Sequence, residues 1–271
     1  MDIVLFLKTC ILGIVQGITE WLPISSTGHL VLVNEFLDLK MNKDFMDVFD
    51  VVIQFGSILA VIVLYFHKLN PFSPKKSSDE KKSTVNLILK AIVATFPAAV
   101  IGLLLDDFID EYCKTPFVIA LALIIYGILF IFIEKKNKKP KVDNLESLSY
   151  KTALYMGCFQ VLSLIPGTSR SGSTILGGIT LGTSRGVAAE FSFFMAIPVM
   201  FGASLLKLLK FGFVFTGVEI AVLLTGMIVS FLVSVFAIKF LMGYIRKHDF
   251  KAFGYYRIII GILVLAYFTF A

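Results

Sequence analysis

Two short polar strings decide how this chain folds: Ser25-Ser26-Thr27-Gly28-His29 and Pro166-Gly167-Thr168-Ser169-Arg170-Ser171-Gly172. Each lies within a stretch that is otherwise apolar enough for a membrane interior. Unpaired polar groups are very unfavourable in hydrocarbon, so such strings persist only where protein buries them or where they line a wet cavity. Each combines glycine, hydroxyls and a group that can be cationic, which is typical of phosphate binding at a helix N-terminus. The strings therefore predict an anion site inside a membrane.

The composition of the 271-residue chain excludes a soluble globular protein, because 57% of its residues are hydrophobic and only 16% are charged. The formal net charge is +6. The basic residues fall in loops between apolar segments, which indicates cytoplasmic loops rather than a nucleic-acid partner.

We predict an all-α integral membrane protein with six transmembrane helices, since six apolar segments are long enough to span. They run approximately over 48–66, 85–105, 116–134, 186–209, 216–243 and 253–271. The regions 2–38 and 150–183 are also apolar, but a proline and one polar string interrupt each of them midway. Because each piece is too short to cross comfortably, we predict two re-entrant half-helix hairpins.

Basic loops predict the orientation. Three loops are rich in lysine and arginine: one carries Lys68, Lys75, Lys76, Lys81 and Lys82, another Lys135, Lys136, Lys138, Lys139 and Lys141, and the third Arg246, Lys247, Lys251 and Arg257. If each hairpin re-enters without crossing, all three loops lie in the cytoplasm by the positive-inside rule. The first hairpin then enters from outside and the second from inside.

That orientation predicts an inverted-topology repeat within a single membrane domain, 1–271. Repeat 1 covers about 1–134, repeat 2 about 150–271, and a basic cytoplasmic linker about 135–149. Four residues of the first hairpin have counterparts in the second: Gly13, Gln16, Ser25 and Gly28 match Gly157, Gln160, Ser169 and Gly172. In such proteins the substrate binds where the repeats meet, with half-helix N-termini facing the anion.

Four residues stand out as candidates for chemistry. Gln16 and Glu20 are four apart and share one helix face, and a carboxylate inside a membrane indicates a functional site. Glu20 could be a general base or a ligand for a hard cation. His29 could activate a hydroxyl, protonate a leaving oxygen or attack phosphorus itself. Arg170 suits phosphate oxygens through its planar fork, and Ser169, Ser171, Ser173 and Thr174 could donate to the same phosphate.

Together, Gln16-x-x-x-Glu20, Pro23-x-Ser25-Ser26-Thr27-Gly28-His29 and Pro166-Gly167-Thr168-Ser169-Arg170-Ser171-Gly172-x-Thr174 resemble the undecaprenyl-diphosphate phosphatase family, also known as bacitracin-resistance proteins. The resemblance covers essentially the whole chain, including 51–57 and 188–193. It implies a multi-pass enzyme of the bacterial plasma membrane whose site opens to the external face. The enzyme would hydrolyse undecaprenyl diphosphate to undecaprenyl phosphate and inorganic phosphate, recycling the lipid carrier for cell-wall synthesis and conferring bacitracin resistance.

The resemblance also implies roles for the matching residues. Catalytic roles fall to Glu20, Ser26, His29 and Arg170, and substrate contacts to Gln16, Ser25, Thr27, Gly28, Gly167, Thr168, Ser169, Ser171, Gly172, Ser173 and Thr174. A divalent cation, Mg²⁺ or Ca²⁺, would be shared by Glu20 and Gln16, and many relatives have Glu at the position of Gln16. Ser26 is the candidate nucleophile, with Glu20 or His29 taking its proton. Direct attack by His29 or by an activated water stays open.

Two other functions share part of this pattern. A type 2 phosphatidic-acid phosphatase would need a second histidine soon after Arg170, and none occurs before His248. A transporter or flippase of a polyprenyl phosphate would need the same anion site, but not a nucleophile with a base. The expected partners are the polyprenyl diphosphate and membrane lipids, with a homodimer also compatible with the sequence.

Overall fold

The computed structural model describes residues 1–136, 139–212 and 214–270, apart from the side chains of Asp106, Asp107 and Asp110. Lys138 of the predicted linker and Ala271 of the last predicted span therefore lie outside the described residues. In the described part the chain forms these α-helices: α1 Ile3–Thr19, α2 Ser26–Leu37, α3 Lys43–Leu64, α4 Phe66–Leu69, α5 Ser78–Phe108, α6 Pro116–Lys135, α7 Tyr150–Val161, α8 Arg170–Thr180, α9 Arg185–Phe211, α10 Gly217–Ile245 and α11 Lys251–Phe270.

The prediction of an all-α membrane protein with six spanning helices is confirmed. Helices α3, α5, α6, α9, α10 and α11 are long and apolar enough to cross a bilayer. Some begin earlier than hydropathy predicted, because polar turns extend them. The Asn42 side chain, for example, accepts a hydrogen bond from the Phe45 N–H at 2.6 Å, which lets α3 begin at Lys43.

The regions 2–38 and 150–183 are broken where the polar strings interrupt them. The first forms α1 and α2, of 17 and 12 residues, and the second forms α7 and α8, of 12 and 11 residues. All four are shorter than the roughly 20 residues that span a bilayer, and within each region the two helices pack on each other. Their re-entry from opposite sides, and the division into two repeats, stay predictions.

Helix pairing brings the two broken regions together. Helix α1 packs along α10, α7 packs along α5, α3 contacts α9, and α6 lies along α11. Small residues permit these close approaches, as is common between membrane helices. In the α6–α11 pair, a Cβ on Gly127 would lie 2.7 Å from the Gly254 carbonyl oxygen, and one on Gly261 would lie 2.8 Å from that of Ala120. These two helices therefore approach each other backbone to backbone.

The close approach of α6 and α11 predicts that Gly127→Val destabilises the protein. The added side chain collides with the Gly254 backbone and with Ile258 Cγ1, both 2.7 Å from its Cβ, and overpacking of this kind costs about 1–3 kcal/mol. We expect a lower Tm in detergent by differential scanning fluorimetry. Gly202→Ala in α9 is the matched control, because a Cβ there meets nothing within 4 Å. Equal Tm values for the two variants would contradict this account of the packing.

Candidate active site

The candidate site is built around Glu20, which caps the C-terminus of α1 and is only 4% exposed. Its Oε1 lies 3.0 Å from Nη2 of Arg170, the first residue of α8. Its Oε2 accepts hydrogen bonds from Gln16 Nε2 at 3.0 Å and from Ser26 Oγ at 2.7 Å. The structure thus brings together four of the predicted site residues, three from the first broken region and one from the second.

The second partner of Arg170 was not predicted. Arg170 Nη1 donates to the backbone carbonyl and the hydroxyl of Ser192 in α9, at 2.8 and 3.1 Å. The Ser192 hydroxyl also hydrogen-bonds Thr174 Oγ1 at 2.7 Å, and the guanidinium lies over the ring of Trp21. A serine within an apolar helix gives little sequence signal, since many such hydroxyls bond only their own helix. Ser192 fixes the direction in which Arg170 points at Glu20.

Both polar strings place a helix N-terminus at the site. Ser25 and Ser169 cap α2 and α8, with φ of +77° and +73°, and their hydroxyls accept from the N–H groups of Gly28 and Gly172 at 3.3 and 3.1 Å. Positive φ is unfavourable for serine and persists where surrounding structure enforces it, often at functional sites. The positive ends of both helix dipoles therefore begin beside the Glu20 carboxylate.

His29 lies one turn along α2 but makes different contacts. Its Nδ1 is 2.7 Å from the Ser25 carbonyl oxygen, and its Nε2 is 2.7 Å from the Tyr256 hydroxyl, whose ring is nearly parallel to the imidazole. A carbonyl only accepts, so Nδ1 carries a proton and neutral His29 accepts from Tyr256 through Nε2. His29 is thus hydrogen-bonded to neither Ser26 nor Glu20. Glu20 is the group placed to receive the Ser26 proton.

Most hydroxyls of the second string are hydrogen-bonded within the protein. Ser171 Oγ reaches the carbonyl oxygens of Glu20 and Leu22 at 3.1 and 3.2 Å, which ties α8 to the first break. Ser173 donates to the Tyr126 hydroxyl, and Thr168 donates to backbone carbonyls of its own loop. These hydroxyls hold the two broken regions together, and their predicted contacts to phosphate stay predictions. The same holds for Thr27, which is half-buried in the first turn of α2.

The placement of Arg257 in a basic loop was wrong. Arg257 and Lys251 both belong to α11, and Arg257 is fully buried. Its guanidinium donates to the carbonyl oxygens of Pro23, Gly167 and Thr168, at 2.9, 2.7 and 2.9 Å. Charge counting grouped it with the nearby loop residues. Its position seven residues into an apolar helix was the available signal, since an intramembrane cation indicates a functional or structural centre.

Three buried polar atoms at the site have no hydrogen-bond partner among the described residues: Gln16 Oε1, Trp21 Nε1 and Arg170 Nε. Leaving such a group unsatisfied costs about 1–3 kcal/mol, so an ion, water or substrate oxygen is expected beside them. The amide oxygen of Gln16 and the Glu20 carboxylate are oxygen ligands of the kind that Mg²⁺ and Ca²⁺ prefer. The described residues contain no group of three or more His, Cys, Asp or Glu that could hold a metal by themselves.

Six helices long and apolar enough to span define a multi-pass membrane protein, and the buried carboxylate–guanidinium pair beside two helix N-termini is its candidate anion site. The chain belongs to the family described as bacitracin resistance protein BacA, whose model matches residues 9–263. This confirms the family resemblance inferred from the two polar motifs.

Curated relatives match over nearly their whole length. The chain is 60% identical over 264 residues to an undecaprenyl-diphosphatase of Acetivibrio thermocellus, covering 97% of each chain. It is 59% identical over 269 residues to that of Enterococcus faecalis, covering 97% of this chain and 98% of the relative. It is 61% identical over 261 residues to undecaprenyl-diphosphatase 1 of Clostridioides difficile, covering 96% and 95%.

The burial of the Glu20–Arg170 pair predicts a large stability loss when either member is neutralised alone. Glu20→Gln or Arg170→Met leaves an uncompensated buried charge, which costs about 3–5 kcal/mol, whereas the double variant removes both charges and recovers part of that loss. We expect this pattern in Tm values measured by thermal unfolding in detergent. Lys207→Met is the control, because Lys207 and Asp47 form a half-buried pair whose atoms are 4.0 Å apart, and a pair so long and so accessible to solvent is worth about 0–1 kcal/mol. Additive losses in the double variant would refute the coupling.

Proposed function

We infer that this site carries out the reaction for which the curated relatives are named, the dephosphorylation of undecaprenyl diphosphate. The products are undecaprenyl phosphate, the lipid carrier of cell-wall synthesis, and inorganic phosphate. The observation that carries the inference is the Ser26 hydroxyl, 2.7 Å from Glu20 Oε2, while Arg170 holds Oε1 of the same carboxylate. This is a nucleophile with a base and an oxyanion-binding cation in one place. A transporter would need neither the nucleophile nor the base, and the similarity to undecaprenyl-diphosphatases does not favour a transporter.

In the proposed reaction, Ser26 Oγ attacks the terminal phosphorus of the diphosphate and its proton passes to Glu20 Oε2. The bond between this phosphorus and the bridging oxygen breaks, and undecaprenyl phosphate leaves with the bonding electrons. Water then attacks the phosphoserine and its Oγ–phosphorus bond breaks. Glu20 returns its proton to Ser26, and inorganic phosphate departs with the oxygen and both protons of the water. We propose that His29 does not take the Ser26 proton, because Tyr256 and the Ser25 carbonyl occupy its ring nitrogens.

Charge stabilisation is the main source of rate in phosphoryl transfer. Arg170 supplies a guanidinium whose Nε has no hydrogen-bond partner in the described part of the chain, and the same is true of Trp21 Nε1, a second donor beside it. The N-termini of α2 and α8 add backbone N–H groups and the positive ends of two helix dipoles. We propose that these groups bind the terminal phosphate and follow the negative charge as it moves to the leaving oxygen.

We propose that Glu20 and Gln16 hold a divalent cation, Mg²⁺ or Ca²⁺. Gln16 Oε1 supports this assignment, because it is buried and no described residue hydrogen-bonds it. With only these two protein ligands, the substrate phosphates and water would complete the coordination, which is the usual pattern for Mg²⁺. Such an ion neutralises charge on the diphosphate oxygens.

The site is proposed to open to the external face of the bacterial plasma membrane. The positive-inside rule assigns the lysine-rich end of the helix bundle to the cytoplasm. Contacts between helices and loops at that end support an opening at the opposite, external end. Arg185 forms a bidentate pair with Glu134, and Lys68 pairs with Glu190 at 2.7 Å. The backbone N–H of Val142 donates to the Gly182 carbonyl oxygen, and the Val142 carbonyl oxygen accepts from the Ser184 N–H, both in the turn between α8 and α9. The substrate's polyprenyl tail would stay in lipid, and association into a homodimer stays a prediction.

Loss of either half of the site is expected to abolish phosphate release. Purified protein in detergent is given farnesyl diphosphate with Mg²⁺ or Ca²⁺, or with chelator. Ser26→Ala removes the nucleophile and Arg170→Ala the oxyanion cation, so each is expected to lower kcat by about 10²-fold or more. Controls are Ser204→Ala, whose hydroxyl bonds the Val51 carbonyl in another part of the bundle, and Arg246→Ala, which is exposed. Both should keep full activity.

Two outcomes would refute this assignment. Undiminished release by either site variant would remove that residue from the mechanism. No release from folded wild type, confirmed with the C55 substrate, would overturn the hydrolase itself.

Gln16 offers a separate test of the cation. Gln16→Leu removes one oxygen ligand, so a higher Mg²⁺ concentration should be needed for half-maximal activity. Gln16→Glu adds a carboxylate beside Glu20 and should lower that concentration. Titration of activity with Mg²⁺ after chelator treatment measures both. An unchanged midpoint in both variants would show that Gln16 is not a ligand.

A further inference from the structure

Arg257 is the one fully buried arginine in the described part of the chain, and the proposed mechanism does not use it. Its hydrogen-bond partners among the described residues are all backbone carbonyl oxygens, and its guanidinium also lies over the ring of Tyr126. A buried guanidinium is expensive to desolvate. A residue held this way, without a carboxylate partner, is expected to perform a task for which its donor geometry is needed.

The carbonyl oxygens that Arg257 binds at the site come from both breaks, the segments that join α1 to α2 and α7 to α8. Nη1 donates to Pro23, between α1 and α2, at 2.9 Å. Nη2 donates to Gly167 and Thr168, just before α8, at 2.7 and 2.9 Å. Each arm of the guanidinium thus holds one of the two breaks. Three residues after Pro23 comes Ser26, and two residues after Thr168 comes Arg170.

Arg257 is itself held by the close-packed pair of helices α6 and α11. Helices α6 and α11 approach backbone to backbone, and the Leu123 carbonyl oxygen of α6 lies 3.5 Å from Arg257 Nε. Ile119 of α6 also contacts both polar strings. A Cβ on Gly28 would lie 3.3 Å from Ile119 Cγ2, and one on Gly167 would lie 2.5 Å from the Ile119 carbonyl oxygen. Both polar strings therefore pack against the α6–α11 pair.

We propose that Arg257 is a positioning residue: it sets the distance between Ser26 and Glu20 on one broken region and Arg170 on the other. The proposal rests on the roles given above to those three residues. The planar fork of arginine is essential here, because its two Nη atoms diverge towards different chain segments. A lysine ammonium carries the same charge but is a single point on a different stem, and it cannot reproduce that geometry.

The test compares Arg257→Lys and Arg257→Met with wild type in steady-state phosphate release from farnesyl diphosphate. Both variants are expected to lower kcat per folded molecule, by up to about 10²-fold because small misplacements of reacting groups have effects of that size. KM should change much less. Folded protein is quantified by size-exclusion chromatography and by Tm. Arg185→Met is the matched control, since it removes an arginine that pairs with Glu134 and follows the C-terminal end of α8, whereas the site lies at the N-terminal end of α8. It should lower Tm but leave kcat per folded molecule unchanged.

A double-variant cycle separates positioning from simple stabilisation. If Arg257 aligns Arg170 with Ser26, the fold-loss caused by Arg170→Ala should be several times smaller in the Arg257→Lys background than in wild type. Full additivity, or activity losses that merely follow the folded fraction, would overturn the proposal. Failure of both Arg257 variants to fold would overturn it as well, in favour of a purely structural role. If Ser26→Ala and Arg170→Ala are active in the otherwise wild-type chain, the proposed function fails instead.

Discussion

The bond between Glu20 and Arg170 is the interaction on which the site depends, because it joins two regions that are 150 residues apart in sequence. Removing either side chain's charge would leave the other charge buried without its counter-charge, which is strongly unfavourable. Each therefore requires that the other region be broken at the right place, so that a helix begins or ends beside it. The polar strings, the positive φ of their capping serines and the small residues of the neighbouring helices all serve that requirement.

The sequence predicts much of this fold, for identifiable reasons. Six apolar segments have the length of a bilayer span, and hydrocarbon leaves helices as the only solution for them. Glu20, Ser26 and Arg170 were found because polar side chains in apolar surroundings need a partner or a purpose. The four-residue spacing of Gln16 and Glu20 correctly placed both on one helix face, where they now share a hydrogen bond.

Other parts of the site could not be read from the sequence, because they depend on which helices become neighbours. Ser192 is one serine in an apolar helix, and only the packing of α8 on α9 makes it a partner of Arg170. Tyr256 reaches His29 because α11 happens to pass α2 at that level. Arg257 was misplaced for a different reason: a cation close in sequence to a basic loop was counted with that loop, although the helical pattern continues through it.

The charge balance of the site explains why it suits a diphosphate. Glu20 compensates one guanidinium, but Arg170 and Arg257 together carry two positive charges, and two helix N-termini add to them. The charged side chains named here thus carry one positive charge in excess, which an anion would neutralise. A phosphate that binds Arg170 must share it with Glu20, and we expect this sharing to leave the carboxylate freer to take the Ser26 proton. Substrate binding would then prepare the base at the moment when it is needed. Because the hydrogen bonds of Arg257 to described residues all go to backbone carbonyl oxygens, Arg257 can keep both breaks in place while Arg170 changes partners.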